Sequence, residues 1–496
     1  MALLQINPQD NVAVALHGVE AGATVEVGDQ SVLARQDIPT GHKIALAPIA
    51  AGEKIVKYGF TIGLAKEEIQ KGDWVHTHNL RTSLGEILEY EFHPSCPPCP
   101  ISEVKERTFM GYPRKVGKPG IRNEVWILPL VGCVNANSQL IAKEAQEKFG
   151  DLPNLDGFHA LVHPLGCSQL GEDHENTRQI LIDLINHPNA GGVLVFGLGC
   201  ENNHMAQFKE ALGEWDDSRV KFLVAQEVED EIEEGVRLVG ELAKEASRTK
   251  REPISAAKLV IGLKCGGSDG FSGITANPLL GALSDIHLVS GGSTVLTEVP
   301  EMFGAEQILM DRAENKEIFD ATVHLINDFK EYFNAYNQPI YENPSPGNKD
   351  GGISTLEDKS LGCVQKGGVG TVTDVIPYAG RVTKPGLTLL SGPGNDLVAC
   401  SALAAAGCHI VLFTTGRGNP MGSVVPTVKV ATNTDLATKK ARWIDYNAGR
   451  ILEGVPLYDL AEDFYDYLVG VASGEKTKAE ELGAKDLTIF KNGVTL

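Results

Sequence analysis

The spacing of apolar and polar positions changes rhythm twice along the chain. Through residue 95 the apolar runs are short and divided by glycine and charged turns: VAVAL, ATVEV, HKIALA, EKIVKYG and GDWVHTH. Runs of this length predict strands, so residues 1–95 are expected to form a small all-β domain. A proline-rich stretch over 96–118 then reads as a linker. From residue 119 apolar strand-like runs alternate with helical stretches such as ANSQLIAKEAQEKFG and DHENTRQILIDLINH, the pattern of α/β layering. The charged stretch LAKEASRTKREPISAAK marks a second boundary. The expected fold class is therefore multidomain α/β: the β domain, a Rossmann-like α/β middle domain over 119–250, and a larger C-terminal α/β domain over 251–496. One long polar loop, 337–362, interrupts the last; its mixture of Asn, Ser, Lys, Gly and Pro predicts a structured binding loop.

Four strand-like runs lead to a cysteine. WILPLVGCVN ends on Cys133, HALVHPLGCSQ on Cys167, VLVFGLGCENN on Cys200 and KLVIGLKCGGSDG on Cys265. Ligands of α/β sheets bind beyond the carboxyl ends of the strands, where a thiol can ligate iron, act as a nucleophile or pack as a small hydrophobe. Four thiols in equivalent places favour one shared site. Their separations are unlike a local zinc knuckle, so such a ligand set has to assemble in space.

Other stretches offer complementary groups. LKCGGSDGFSGITANP is the densest polar glycine loop, carrying Lys264, Ser268, Asp269, Ser272 and Asn277. Its glycines permit close backbone approach to a ligand oxygen. TTGRGNPMG places Arg417 after a strand, a setting suited to a planar carboxylate. WVHTHN is expected to set His76 and His78 on one face of a strand, from which two imidazoles chelate a divalent metal. His42, Lys43 and Tyr58 fall on turns as acid/base candidates. CPPC lies in the linker rather than at a helix N-terminus, so nothing there lowers a thiol pKa and the pair reads as incidental. GLG at 197–199 is not GxGxxG, and nicotinamide binding is not expected.

Composition narrows the classes further. Lys plus Arg is 44 against 65 for Asp plus Glu, and a net charge of -21 argues against a nucleic-acid or anionic-membrane partner. The N-terminal MALLQINPQDN lacks the basic start and apolar core of a secretion signal, and a cytoplasmic location is expected. Nine cysteines, an odd number, are then expected to be mostly reduced thiols.

Taken together, GHKIAL, VKYG, HTHN, GIRNEVWILPLVGCVN, GLGCEN, CGGSDGFSGITANP, TEVPEMFGAEQ, ENPSPGNKDGG, LEDKSLG and TTGRGNP give a chain that resembles the altronate and galactarate dehydratase family over its whole length. The resemblance implies that the first domain is an SAF domain of β-clip fold, and WVHTHN points to the altronate branch. It further implies dehydration of D-altronate to 2-keto-3-deoxy-D-gluconate with Fe²⁺, or Mn²⁺, and a homodimer. On this reading iron is held by a subset of His76, His78, Cys167, Cys200 and Cys265. Ser268, Asp269, Asn277, Asn348, Lys349 and Arg417 hold carboxylate and hydroxyls, while His42, Lys43, Tyr58 and Lys264 move protons. Glu298 and Glu301 are additional candidates. The competing readings are a galactarate dehydratase or sulfolactate-type lyase, an iron–sulfur cluster on Cys167, Cys200 and Cys265, and a non-catalytic sugar-acid sensor. The CPPCP insertion departs from the family pattern within the linker.

Overall fold

The computed structural model describes residues 2–85, 87–101, 103 and 105–496. The first 81 residues form short antiparallel strands. A four-stranded sheet runs in the order Leu3–Leu4, Val12–Ala15, Lys43–Ala45, Trp74–Val75, with a hairpin of Thr24–Val27 and Gln30–Leu33 and a three-stranded sheet containing Lys54–Lys57, Phe60–Ala65 and Leu80–Arg81. No strand here is long enough to stand alone, and the domain borrows its neighbour's core. Ile55, Ile62, Val75 and Leu80 belong to the same buried apolar cluster as Leu263, Leu279, Leu356 and Leu361 of the C-terminal domain.

Residues 84–85 and 87–101 run as a strap without regular secondary structure over that domain. Tyr90 donates its hydroxyl to the Glu306 carboxylate, which also pairs with buried Lys330, and Ser95 N–H donates to Asp311 O at 2.8 Å. Further along, Thr108–Gly111 pairs antiparallel with Glu252–Ser255, so the two chain passages flanking the middle domain are stitched together.

The middle domain has a four-stranded, wholly parallel sheet ordered Phe158–Ala160, Glu124–Pro129, Ala190–Gly197, Val220–Val224. Helices α1 (Asn135–Phe149), α2 (Gly171–Ile185), α3 (Met205–Leu212) and α4 (Glu231–Ala246) connect and cover it. Helix α4 shows how the sequence specifies its ends. Asp230 caps it by accepting from Ile232 and Glu233 N–H, acidic residues fill the first turn, and Lys244 lies in the last.

The C-terminal domain holds a seven-stranded parallel sheet in the order Val372–Ile376, Gly386–Leu390, Ser293–Leu296, Val260–Cys265, Ile410–Thr415, Thr427–Ala431, Tyr446–Asn447. Its central strands are buried along their length, as parallel strands covered on both faces must be. No helix among the described residues is long and apolar enough to cross a membrane. The polar stretch 337–362 is not a continuous loop: it contains the short helix Pro346–Asp350 and runs into the helix Leu356–Cys363, every residue of which is buried.

Candidate functional site

The β domain meets the C-terminal domain backbone to backbone. Gly270 N–H donates to Gly351 O at 2.7 Å, and a methyl group placed on Gly270 would lie 2.0 Å from Gly41 O. A methyl on Gly352, which has φ +101°, would fall 2.3 Å from that same oxygen. Only glycine fits such an approach. The turn carrying His42, the strand that begins at Lys43 rather than continuing that turn as expected, the loop carrying Ser268 and Asp269, and the segment carrying Asn348 and Lys349 therefore converge at one seam.

On the β-domain side an aromatic cluster borders this seam. Trp74 donates its indole N–H to His42 Nδ1 at 3.1 Å, and His42 Nε2 lies 3.2 Å from Asp350 O. With Nδ1 accepting, His42 is the neutral tautomer that donates from Nε2, and burial lowers its pKa further. The His76 ring stacks on Trp74 with centroids 5.4 Å apart and meets His42 at 5.0 Å, while His78 tilts against Trp74 at 5.1 Å. Burial, with Lys43 and His42 nearby, holds His76 down at about 3. His76 and His78 do not sit on a strand as expected. The strand stops at Val75 because Asn79 accepts from His76 N–H at 3.0 Å and donates to Trp74 O at 2.9 Å, closing a turn. His76 is buried and its Nδ1 has no partner; His78 is exposed.

Behind the aromatic cluster two lysines share one carboxylate. Asp358 accepts from Lys43 Nζ at 2.9 Å and Lys57 Nζ at 2.9 Å, and Lys43 also donates to Gly352 O at 2.7 Å. All three side chains are buried. Burial pushes Asp358 up, but the two ammonium groups outweigh it and hold the carboxyl well below its usual range. Burial lowers Lys43 to about 8 despite Asp358, whereas Lys57, also beside Tyr58, is raised. Tyr58 itself is raised, chiefly by burial, so it can donate a proton but does not act as a phenolate base near neutral pH.

Three of the expected substrate-binding side chains have their polar atoms engaged within the protein. Asp269 accepts from Phe271 N–H and Ser272 Oγ at 3.1 Å each and from Thr432 Oγ1 at 3.0 Å. Asn277 donates to Gly362 O at 3.0 Å and accepts from Thr414 Oγ1 at 2.7 Å. Asn348 donates to Ser268 O at 2.9 Å and accepts from Ser345 Oγ at 2.9 Å. They shape the loops. Ser268 Oγ, buried, has no partner, and the side chains of Lys349 and Arg417 make no hydrogen bond or ion pair with the described residues. Arg417 is exposed and reaches the seam loop through its backbone, donating to Gly267 O at 2.9 Å.

The expected single site for four thiols divides in two. Cys265 is buried: its Sγ lies 3.1 Å from Glu301 Oε2, 3.4 Å from Cys363 Sγ and 2.9 Å from Lys366 Nζ. Glu298 pairs with Lys264 and Lys366, Lys264 also pairs with Asp396 at 2.9 Å, and Lys359 pairs with Glu301 at 2.8 Å. Burial would lower Lys264, yet Glu298 and Asp396 hold it well above its ordinary value, as a locked cation rather than a base. Cys133, Cys167 and Cys200 are exposed on the middle domain instead, and no group of metal-ligating side chains among the described residues joins any of them to Cys265. Cys96 and Cys99 are exposed in the strap.

Asp358, Lys57, Lys359, Lys366, Cys363 and Trp74 were not singled out from the sequence. LEDKSLG was legible as a motif, but its charges look like an ordinary solvated helix start until the helix is seen to be wholly buried.

Three family profiles match in register. One described as Altronate/galactarate dehydratase SAF domain covers residues 1–83, one described as D-galactarate dehydratase/Altronate hydrolase, second domain, covers 111–247, and one described as D-galactarate/Altronate dehydratase, C-terminal, covers 256–495. The chain is 55% identical over 496 residues, the full length of both, to a protein of Bacillus subtilis (strain 168) named altronate dehydratase. It is 51% identical, again over all of both chains, to the altronate dehydratase of Escherichia coli (strain K12). Against the galactarate dehydratase (L-threo-forming) of the same E. coli strain it is 31% identical over 491 residues, 95% of this chain and 93% of that one.

Proposed function

The chain belongs to the altronate/galactarate dehydratase family, and from that premise we propose that it is a hydro-lyase converting D-altronate to 2-keto-3-deoxy-D-gluconate and water at the seam between its first and last domains. The observation that carries the substrate assignment is the full-length identity of 55% and 51% to altronate dehydratases against 31% to a galactarate dehydratase. The same reading includes a Rossmann-like middle domain, a cytoplasmic location and a homodimer.

The reaction removes a proton from carbon 2, beside an ionised carboxylate, and expels the hydroxyl of carbon 3. A positioned acid or base contributes roughly 10²- to 10⁴-fold. That corresponds to about 3 to 5 kcal/mol, short of the ~8 kcal/mol or more that enzymes commonly supply.

Fe²⁺ or Mn²⁺ suits the donors His76 and His78. One ring nitrogen of His76 is buried without a partner, and imidazole is an ordinary ligand for either ion. Cys265, Glu301 and Cys363 gather three donors within 4.8 Å, but Lys366 and Lys359 already neutralise this cluster, and a cation would have to displace ammonium groups. When bound, the ion supplies Lewis acidity to the carboxylate and a hydroxyl of the substrate.

The chain's own groups do the rest. Arg417 and Lys349, free of internal partners, take the carboxylate, and Ser268 Oγ takes a hydroxyl. His42 and Lys43 handle the proton: burial lowers both, and Lys43 at about 8 is near the pH at which transfer is most effective. Tyr58 is a proton donor, and Lys264 holds the neighbouring strand end in place.

The test is formation of 2-keto-3-deoxy acid by anaerobically purified, chelator-treated protein given D-altronate or galactarate, each with and without Fe²⁺. Iron-dependent product from altronate is expected. Product from galactarate alone, or none from either acid with the fold intact, overturns the assignment.

A further inference from the structure

Three exposed cysteines of the middle domain take no part in the seam. Cys133, Cys167 and Cys200 follow three adjacent parallel strands, Glu124–Pro129 flanked by Phe158–Ala160 and Ala190–Gly197, so all three thiols leave the same edge of the sheet. The loops that carry them are laced directly together. Gly132 N–H donates to Leu165 O at 2.9 Å and Asn135 Nδ2 to His163 O at 2.9 Å, joining the first loop to the second. Ser168 N–H donates to Asn202 Oδ1 at 2.9 Å and Asn203 N–H to Gly166 O at 3.0 Å, joining the second to the third. Gly166 and Gly199, with φ +100° and +127°, immediately precede two of the cysteines, and a methyl on Gly166 would sit 1.9 Å from Leu130 O. The chain gives up side chains there to bring the loops close.

The edge is also prepared for anions. Helices α1, α2 and α3 begin just after the three thiol loops, so three helix N-termini, each with a partial positive charge, lie at one edge. The amide N–H groups of Cys167, Cys200, Glu201 and Asn202 donate to none of the described residues. Asn203 is only 1% exposed, yet its Oδ1 has no partner. Three exposed cysteines gathered on one edge are otherwise an oxidation liability.

A single ion does not fit this arrangement. No metal-ligating group with donors within 4.8 Å of one another occurs here among the described residues, whereas one mononuclear centre needs that spacing. An iron–sulfur cluster accepts thiolates that are farther apart and come from separate loops, and its sulfides take up free backbone N–H groups. We propose that Cys133, Cys167 and Cys200 hold a cubane iron–sulfur cluster at the edge of the middle sheet, with three irons bound by thiolate and the fourth left to an oxygen ligand. Relative to the sequence expectation, Cys133 takes the place of Cys265, which is buried in the other sheet's ion-pair network.

The test uses the full chain, purified without oxygen and reconstituted with ferrous iron and inorganic sulfide. The readouts are iron and acid-labile sulfide per chain, visible absorbance, and the electron paramagnetic resonance spectrum after one-electron reduction. Expected are iron and sulfide in near-equal amounts and a broad visible band. That band should be lost in each of Cys133→Ser, Cys167→Ser and Cys200→Ser and kept in Cys96→Ser/Cys99→Ser, with far-ultraviolet circular dichroism unchanged throughout. Iron without sulfide, or a band that survives all three single substitutions, overturns the cluster. Altronate turnover measured in the same samples with Fe²⁺ alone keeps the two readings apart. Turnover without sulfide retains the seam chemistry while the cluster fails, and a cluster without turnover does the reverse.

Discussion

At the carboxyl edge of the C-terminal sheet Cys265 is closed in by Glu301, Cys363 and Lys366, whereas at the corresponding edge of the middle sheet Cys133, Cys167 and Cys200 are open to solvent. Both edges are written in one sequence idiom, an apolar run followed by glycine and cysteine. The difference comes from what is folded over them. The β domain and the buried helix Leu356–Cys363 lie over the C-terminal edge, and Asp358, Glu298 and Glu301, taken out of water there, each have ammonium partners. The middle edge is crossed only by the C-terminal tail, where Leu496 N–H donates to Ser168 O at 2.9 Å, and its thiols stay exposed with free backbone donors around them among the described residues. A cysteine at a strand end is thus a structural or a reactive residue according to its cover, which the local sequence does not record.

The largest effect that would break this contrast is removal of the shared carboxylate. Asp358→Ala leaves Lys43 and Lys57 buried with no counter-charge, and about 3–5 kcal/mol of stability is expected to go, as for other broken buried pairs. Urea unfolding measures the loss, and faster proteolysis between residues 84 and 101 would show the β domain lifting away. A change below about 1 kcal/mol, the range of exposed pairs, would mean the closed edge does not depend on its ion pairs.

Gly270→Ala comes next. The added methyl meets Gly41 O at 2.0 Å, so a cost of about 1–3 kcal/mol from overpacking is expected. Turnover should suffer more, falling about 10²-fold, because the seam groups lose their mutual position. Equal modest losses in both would argue that the seam does not form the site.

On the open edge the expected effect depends on acid. His163 bridges the thiol loops, with Nε2 2.8 Å from Pro129 O and Nδ1 accepting from Leu165 N–H at 3.2 Å, and burial lowers it from 6.5 to about 4. Between those values the unfolded chain binds the extra proton and the folded one does not, so His163 costs no stability above pH 6.5 and progressively more as pH falls toward 4. At about 1.4 kcal/mol per pKa unit the full cost approaches ~3 kcal/mol. Denaturant melts across that range should be flatter for His163→Gln than for the parent chain, and parallel curves would remove His163 as a cause.

The smallest perturbation is chemical labelling, which leaves the fold alone. In the folded, iron-free chain Cys96, Cys99, Cys133, Cys167 and Cys200 should react with a thiol reagent, while Cys265, Cys363, Cys400 and Cys408 react only on unfolding. Mass spectrometry of the labelled peptides decides it, and early labelling of Cys265 would erase the distinction between the edges.

The elements were legible wherever one local rule governs them. VAVAL became the strand Val12–Ala15, and DHENTRQILIDLINH became most of α2, because alternation and helical periodicity are short-range signals. The site was legible in part. The glycine loop at 263–278 and the thiols stood out, but Asp358 finds Lys43 and Lys57 across 315 and 301 residues, and no periodicity announces so distant a pairing. The histidines failed for a different reason: Asn79 ends the strand one residue before His76, so a face assignment made by counting in twos had no strand to apply to.

Where Gly41, Gly270 and Gly352 meet, the chain has also limited its own history. Each position is already reduced to hydrogen, so a larger residue at one cannot be offset by a smaller residue at another, and the usual compensating pairs of core drift are closed to it. Exchange between relatives meets the same bar. A recombinant joining the first domain of one lineage to the remainder of another inherits a working junction only when both parents carry these glycines.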